Sequence, residues 1–266
     1  MENINILYED ADIIVCVKPA GTPVQTRGFR TPDMESLLKN HLIQTAASAG
    51  RRPASANQRS DSTRQHFAAP SQRPAPCGPK KATQSGAPYL AVIHRLDQPV
   101  RGILVFAKIP SAAKQLNHQM QTGKFQKIYH ALACGTLHPA QGTLCDYLVK
   151  DGCTNTSRIC SSDTPGAKKA ELGYRVLREL PAFRPQTVTE VEIQLKTGRH
   201  HQIRVQMAGA GAPLLYDTKY NPAFSEASPG RPGSSERCSV ALCACSLSFS
   251  HPRTGKNMQF KIDCGW

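Results

Sequence analysis

Apolar positions along the chain recur at two spacings, and each predicts a different kind of element. Ile4 to Leu7 and Asp12 to Lys18 read as short β-strands, the second closing at Pro19-Ala20-Gly21. Met34, Leu37, Leu38 and Leu42 return at helical spacing and mark one face of a helix. Its start is expected at Thr31 as cap, with Pro32 in the first turn and Asp33 and Glu35 at the positive end of the dipole. Leu90 to His94 and Gly102 to Ala107 are strand-like runs on either side of a charged turn. Ser111 to Thr122 returns to helical spacing through Ala113, Leu116 and Met120, with Gly123 as its stop.

Further on, Lys127 to Cys134 alternates, placing Tyr129, Ala131 and Ala133 on one face of a strand. Val191, Ile193 and Leu195 alternate with Glu190, Glu192 and Gln194, a strand with one wet face that runs into Thr197-Gly198-Arg199 and a short helix. Val240 to Ser250 and Lys256 to Ile262 flank Arg253-Thr254-Gly255 and predict a hairpin. Strands outnumber helices, so the expected fold class is α+β with a mostly antiparallel, mixed sheet and a few flanking helices. We read 1–266 as one domain, interrupted by two segments without a core pattern. From about 45 to 88 the chain is Ala, Ser, Pro, Gln and Arg, with seven Lys or Arg and Asp61 as the one acid. So little apolar surface cannot offset chain entropy, and a disordered basic insertion is expected. The stretch 221–237 is Pro, Gly and Ser rich and reads as a loop.

Composition sharpens the partner rather than the fold. Lys and Arg number 33 against 19 acids, a formal charge of +14, which favours a polyanion because each neutralised phosphate releases counterions. No apolar run approaches the ~20 residues that span a bilayer, so no membrane partner is expected. The start of the chain, with Glu2, Glu9 and Asp10, lacks the basic-then-apolar layout of a secretion signal. Ten cysteines lie at irregular intervals with no Cys-x-x-Cys pair, and Cys243 and Cys245 stand too close to read as a zinc knuckle. Thiols such as Cys16 and Cys134 on apolar strands read as small buried side chains, and a reduced, cytoplasmic protein is expected.

Three constellations could carry chemistry. His94-Arg95-Leu96-Asp97 sets a carboxylate beside an arginine in a tight turn between core strands. Taken alone, a surface ion pair would look the same. Lys127-x-Tyr129 lies on a strand, where a tyrosine is ordinarily core with its hydroxyl at the rim. Thr197 to Arg204 turns from strand to helix with arginines and backbone amides suited to an anion. Its adjacent His200 and His201 are expected to point apart on a helix, without a third ligand, so no metal is expected.

In this order, these pieces resemble the RluA-type family of RNA pseudouridine synthases. The matching segments are Lys18-Pro19-Ala20-Gly21, His94 to Asp97 followed by Gly102 to Phe106, Lys127 to Ala131, Thr197 to Arg204, Pro213 to Tyr220, and Leu247 to Pro252. The chain departs at Val100-Arg101-Gly102, where the family commonly has Thr-Ser-Gly. Tyr216 stands at a customary glycine, so that turn must change shape or bear strain. Gln206 stands where a histidine is common.

The resemblance implies an isomerase that detaches uracil, turns it and rejoins it to ribose through carbon, with no cofactor and no metal. It implies Asp97 as nucleophile, attacking ribose or base, Arg204 as the partner that keeps it ionised, and Tyr129 as the tyrosine stacking on the base. Arg95 is the candidate to fill the space left by a flipped uridine, and Arg199, His201 and Gln202 are candidate RNA contacts. The expected substrate is ribosomal or transfer RNA at single-stranded or loop uridines. The first motif begins within about twenty residues of Met1, so the RNA-binding domain that many relatives carry ahead of it is not expected here. No obligate protein partner is evident, and a monomer is expected. Two other readings compete: a glycosidic-bond enzyme acting on a nucleoside, which the basic charge disfavours, and an RNA-binding protein whose catalysis is dispensable.

Overall fold

The computed structural model of the chain describes residues 4–26, 32–49, 87–180, 187–224 and 239–266. Its centre is set by two strands that are apolar on both faces, β2 (Ile13–Lys18) and β4 (Arg101–Ala107). They pair antiparallel from Ile13 opposite Ala107 to Lys18 opposite Gly102. β1 (Asn5–Glu9) extends them on one side, and the two-residue β3 (Ala91–Val92) pairs with the end of β4. On the other side β4 meets β10 (Leu242–Ser250) in parallel, with Gly102 opposite Ala244. A side chain does not fit there, because a Cβ on Gly102 would lie 2.4 Å from that of Ala244. β10 continues antiparallel into β5 (Gln126–Cys134), β9 (Val188–Leu195), β8 (Lys168–Leu180), β6 (Gln141–Asp151) and β7 (Thr156–Cys160). β11 (Asn257–Lys261) folds back on β10 as the expected hairpin. Among the described residues the result is one mixed, mostly antiparallel sheet with three helices, an α+β fold as the sequence predicts.

Alternation along the strands divides the core between the two faces. Ile14, Leu104, Phe106, Tyr129, Ala131, Val191 and Ile193 lie on one face beneath α1 (Met34–Ala49) and α3 (Gln202–Gly209). Ile13, Val15, Ile103, Val105, Leu247 and Phe249 lie on the other, covered by α2 (Pro110–Gln121).

Several boundaries differ from expectation. α1 starts at Met34, and its cap is Asp33, whose Oδ1 accepts the Ser36 N–H at 2.7 Å. Thr31, the expected cap, lies outside the described residues, and Pro32 precedes the cap. The basic insertion begins later than 45, because α1 continues to Ala49, and 50–86 lies outside the described residues. The loop expected at 221–237 opens with a 3-10 turn, Pro222–Phe224, held by Asn221, whose Nδ2 donates to the Leu214 carbonyl at 2.9 Å. Residues 225–238 also lie outside the described residues. The strands β6, β7 and β8 are absent from the sequence reading. For β8 the signal was there: Ala170, Leu172, Tyr174 and Val176 alternate with polar residues or glycine.

Candidate active site

Asp97 stands on the turn that joins β3 to β4, and the turn is pinned from three directions. Leu96 and Val100 are buried in the core, and the Val100 N–H closes the turn on the Asp97 carbonyl at 3.0 Å. From below, Lys18 at the end of β2 is wholly buried and donates its ammonium to the carbonyls of Pro19, Thr22 and Gln98 at 2.7–2.9 Å. Gly21 N–H adds a bond to the Gln98 carbonyl at 2.9 Å, and Gln98 Nε2 returns one to the Gly21 carbonyl at 2.9 Å. The Lys-Pro-Ala-Gly segment is therefore a cradle for the turn that carries Asp97. Burial pulls Lys18 down to about 8, against the opposing pull of Asp97.

The second wall comes from α3 and the turn before it. Thr197 and Gln202 knot this turn to β8: Thr197 Oγ1 accepts the Glu171 N–H at 2.8 Å, and Gln202 Nε2 donates to the Glu171 carbonyl at 3.1 Å. Gln202 Oε1 accepts from Thr197 Oγ1 at 2.8 Å and from the Arg199 N–H at 2.9 Å. Its amide is thus engaged in holding Arg199, whose Nε donates to the Lys169 carbonyl at 2.8 Å. The expected anion-binding amides are partly used as well, since the Gln202 N–H bonds to the Arg199 carbonyl.

The two histidines do not point apart. His201 takes a left-handed conformation (φ 53°) as the residue capping α3, and its ring stacks on that of His200 at 3.8 Å. His201 Nδ1 is 2.7 Å from the Tyr220 hydroxyl, and its Nε2 is 3.7 Å from Asp97. Burial and the Arg204 charge push His201 down to about 3, so near neutral pH this is a neutral imidazole facing a carboxylate rather than an ion pair.

Arg204 and Asp97 meet, but not as an exclusive pair. Arg204 gives its fork to Asp217, with Nε at 2.8 Å and Nη2 at 2.7 Å, while Nη1 lies 3.6 Å from Asp97. Asp217 is wholly buried and also accepts the Lys219 and Tyr220 N–H groups. It reaches this place because Pro213 to Leu215 run beside β5, with the Leu215 N–H on the Leu132 carbonyl at 2.8 Å. Tyr220 lies under the guanidinium, 5.1 Å from ring centre to Arg204 Cζ. The consequence corrects the simple pairing. Burial raises the pKa of Asp97, Arg204 opposes the rise, and the Asp217 charge adds to it.

Tyr129 on β5 is buried at the cavity wall, and burial followed by the Asp97 charge pushes its phenol upward, so it remains protonated. His94 is buried against Phe125 at 5.3 Å, pushed down to about 3 by burial and by Lys127, with neither ring nitrogen hydrogen-bonded within the described residues. Arg95 is exposed at the cavity rim beside Asp97. The cavity these groups line measures about 1280 Å³, above the ~300–1,000 Å³ of small-molecule sites. Among the described residues, seven cationic side chains line it, and Asp97 is the one acid. Sequence reasoning singled out Asp97, Tyr129, Arg204, Arg95, Arg199, His201 and Gln202, and all seven line this cavity. It gave no role to Lys18, Asp217 or Tyr220, although all three lie within the quoted motifs.

The geometry is that of a cation-lined cleft built around one partly exposed carboxylate. The RNA pseudouridylate synthase family model matches residues 12–209, and the chain belongs to that family, whose enzymes are isomerases acting on RNA. An uncharacterised RNA pseudouridine synthase of Aquifex aeolicus is 27% identical over 98% of this chain and 69% of its own length. Ribosomal large subunit pseudouridine synthase D of Vibrio cholerae is 33% identical over 65% of this chain, which spans about half, 52%, of that protein. Human RNA pseudouridylate synthase domain-containing protein 4 shares the fold, with a TM-score of 0.65 at 20% identity over 97% of this chain and 88% of its own.

Proposed function

We propose that this chain converts uridines of ribosomal or transfer RNA to pseudouridine, with Asp97 as the nucleophile. One observation carries the reading: among the described residues Asp97 is the single acid in a cation-lined cavity large enough for an extruded nucleotide, with 28% of its side chain accessible. The names of relatives such as the Vibrio cholerae enzyme favour ribosomal RNA over transfer RNA.

The reaction breaks the bond from ribose to nitrogen, forms one from ribose to carbon, and moves a proton from that carbon to the freed nitrogen. No electrons are gained or lost overall. Asp97 must be ionised to attack, whether at ribose or at base. Arg204 favours the ionised form from 3.6 Å, although its fork is held by Asp217. Tyr129, protonated and rigid, offers a ring for the base to stack on and a hydroxyl that keeps its proton and can donate a hydrogen bond. Arg95, exposed beside Asp97, is suited to enter the stack when a uridine leaves it, a step costing a few kcal/mol. Arg199 and the rim lysines meet phosphate, while His201 and Gln202 hold the turn that presents Arg199.

The test is pseudouridine mapping of cellular RNA with and without the protein, with an Asp97→Asn rescue. One or a few uridines that regain modification only with Asp97 intact would support the reading. Rescue by the asparagine variant would end it, and unchanged RNA with retained RNA affinity would favour a binding role.

A further inference from the structure

The sheet face opposite Tyr129 carries a cluster that the proposed chemistry does not use. Along β10, alternation turns Leu242 and Ala244 into the core beneath α3 and sends Cys243 and Cys245 to the far face. His130 is the partner of Cys243 on β5 and projects the same way. The end of the chain then returns over both. The Ile262 N–H donates to the Cys245 carbonyl at 2.9 Å, and Arg101 Nη1 donates to the Asp263 carbonyl at 2.6 Å. Cys264 is thereby set down beside the two strand thiols. The ligand atoms of His130, Cys245 and Cys264 all lie within 4.8 Å of one another.

We propose that His130, Cys243, Cys245 and Cys264 bind one zinc ion, stapling the C-terminal segment to β5 and β10. Three thiols and an imidazole are the donor set of a closed structural zinc site. Tetrahedral zinc with its usual bond lengths holds such atoms about 3.5–4 Å apart, a small contraction for His130, Cys245 and Cys264, while Cys243, outside that 4.8 Å group, must swing in as the fourth ligand. The spacing of Cys243 and Cys245, too short for a knuckle loop, is suitable on a strand, where residues two apart share a face. The surroundings fit as well. Glu190 lies 3.3 Å from His130 Nδ1 and Glu192 3.8 Å from Nε2, and a carboxylate on one ring nitrogen commonly orients a ligating histidine. Zinc with three thiolates carries a net negative charge, and the Arg101 guanidinium lies beside Cys243 to meet it.

The test is cobalt(II) titration of the full chain, metal-stripped and kept reduced, followed by zinc competition. Thiolate-to-cobalt charge-transfer bands with tetrahedral visible bands should grow to about one equivalent and vanish on adding zinc. Cys264→Ser and Cys245→Ser should lose those bands, while Cys145→Ser, a change at an exposed strand thiol, should keep them. Zinc should raise the melting temperature of the wild type and not that of Cys264→Ser. Absence of thiolate bands in the reduced wild type would overturn the site, as would bands that persist in Cys264→Ser. A disulfide from Cys264 to a strand thiol on oxidation, with no metal uptake after reduction, would overturn it equally. Neither readout involves RNA, so failure here leaves the proposed activity untouched.

Discussion

Removing Arg204 should cost far more stability than neutralising either carboxylate it serves. Arg204 and Asp217 are 4% and 0% exposed at the side chain, and their two bonds of 2.7–2.8 Å form a buried fork. In Arg204→Met the volume is roughly kept, but Asp217 retains only the Lys219 and Tyr220 N–H groups at 3.0 and 3.2 Å. Asp97 simultaneously loses the cation at 3.6 Å, leaving two like charges in a poorly solvated site. Breaking a buried pair from one side costs about 3–5 kcal/mol, and loss of the contact with the Tyr220 ring adds about 1 kcal/mol. In Asp217→Asn the guanidinium still has Asp97 to turn to, so the cost should be nearer that of one charged hydrogen bond, about 1.5–3 kcal/mol. The measurement is urea unfolding of the three proteins at neutral pH, with release of the base-carbon hydrogen as the activity readout. Arg204→Met should unfold well below Asp217→Asn and be inactive. Equal losses in the two variants, or an Arg204→Met within about 1 kcal/mol of the wild type, would refute the claim that one arginine balances two acids.

Three further outcomes are expected. Gly102→Ala should destabilise by about 2–3 kcal/mol by unfolding equilibrium, because its Cβ meets Ala244 side chain and backbone at 2.4–2.7 Å; a neutral result would mean that β4 and β10 can part. Tyr216 adopts φ 61° and packs edge-on against Phe224 at 5.2 Å, so Tyr216→Gly exchanges relief of ~1–2 kcal/mol of strain for a lost ring. Tyr216→Ala loses the ring and keeps the strain, and should melt lower than Tyr216→Gly; the reverse order would show that the backbone there is unstrained. Finally, burial raises the Asp97 pKa, and in the proposed mechanism its ionised form is the active one. Activity must therefore fall as pH drops through a value above the ordinary carboxylate 3.8, and an acid limb of kcat/KM at or below that value would contradict the environment described.

How much of this was legible follows from what each signal encodes. Strand alternation in β5 and the double-sided apolar runs of β2 and β4 report burial, and burial is what the sheet supplies. The cap of α1 was misplaced because Thr31 and Asp33 are both good capping residues, and Asp33 is chosen by a tertiary contact, its Oδ2 accepting the Thr26 N–H at 2.6 Å. The stacking of His200 on His201 was unreadable from spacing, since it depends on one left-handed residue that is neither glycine nor asparagine. Glu190, read as part of a wet strand face, is largely buried beside His130, a placement decided by what packs over β9 rather than by alternation. The roles of Lys18 and Asp217 were hidden for a related reason. Each is a charge on a segment whose neighbours in space are 80 and 13 residues away in sequence.

Those two buried charges also explain why the site and the fold are hard to separate. Lys18 holds the turn of Asp97 from one side with three carbonyl bonds, and Asp217 holds Arg204 from the other with a fork. Neither needs to touch a substrate, yet both set the field at Asp97: Lys18 favours its ionised form, and Asp217 disfavours it. A positive charge behind the turn and a negative one behind the arginine thus oppose each other across a single carboxylate. Its readiness to ionise depends on small differences between large, fixed interactions, which a rigid frame can hold steady and a mobile loop could not. That is a physical reason for the acid to sit on a turn tied to β2, and for its cation to sit on a helix tied through Asp217 to the segment beside β5.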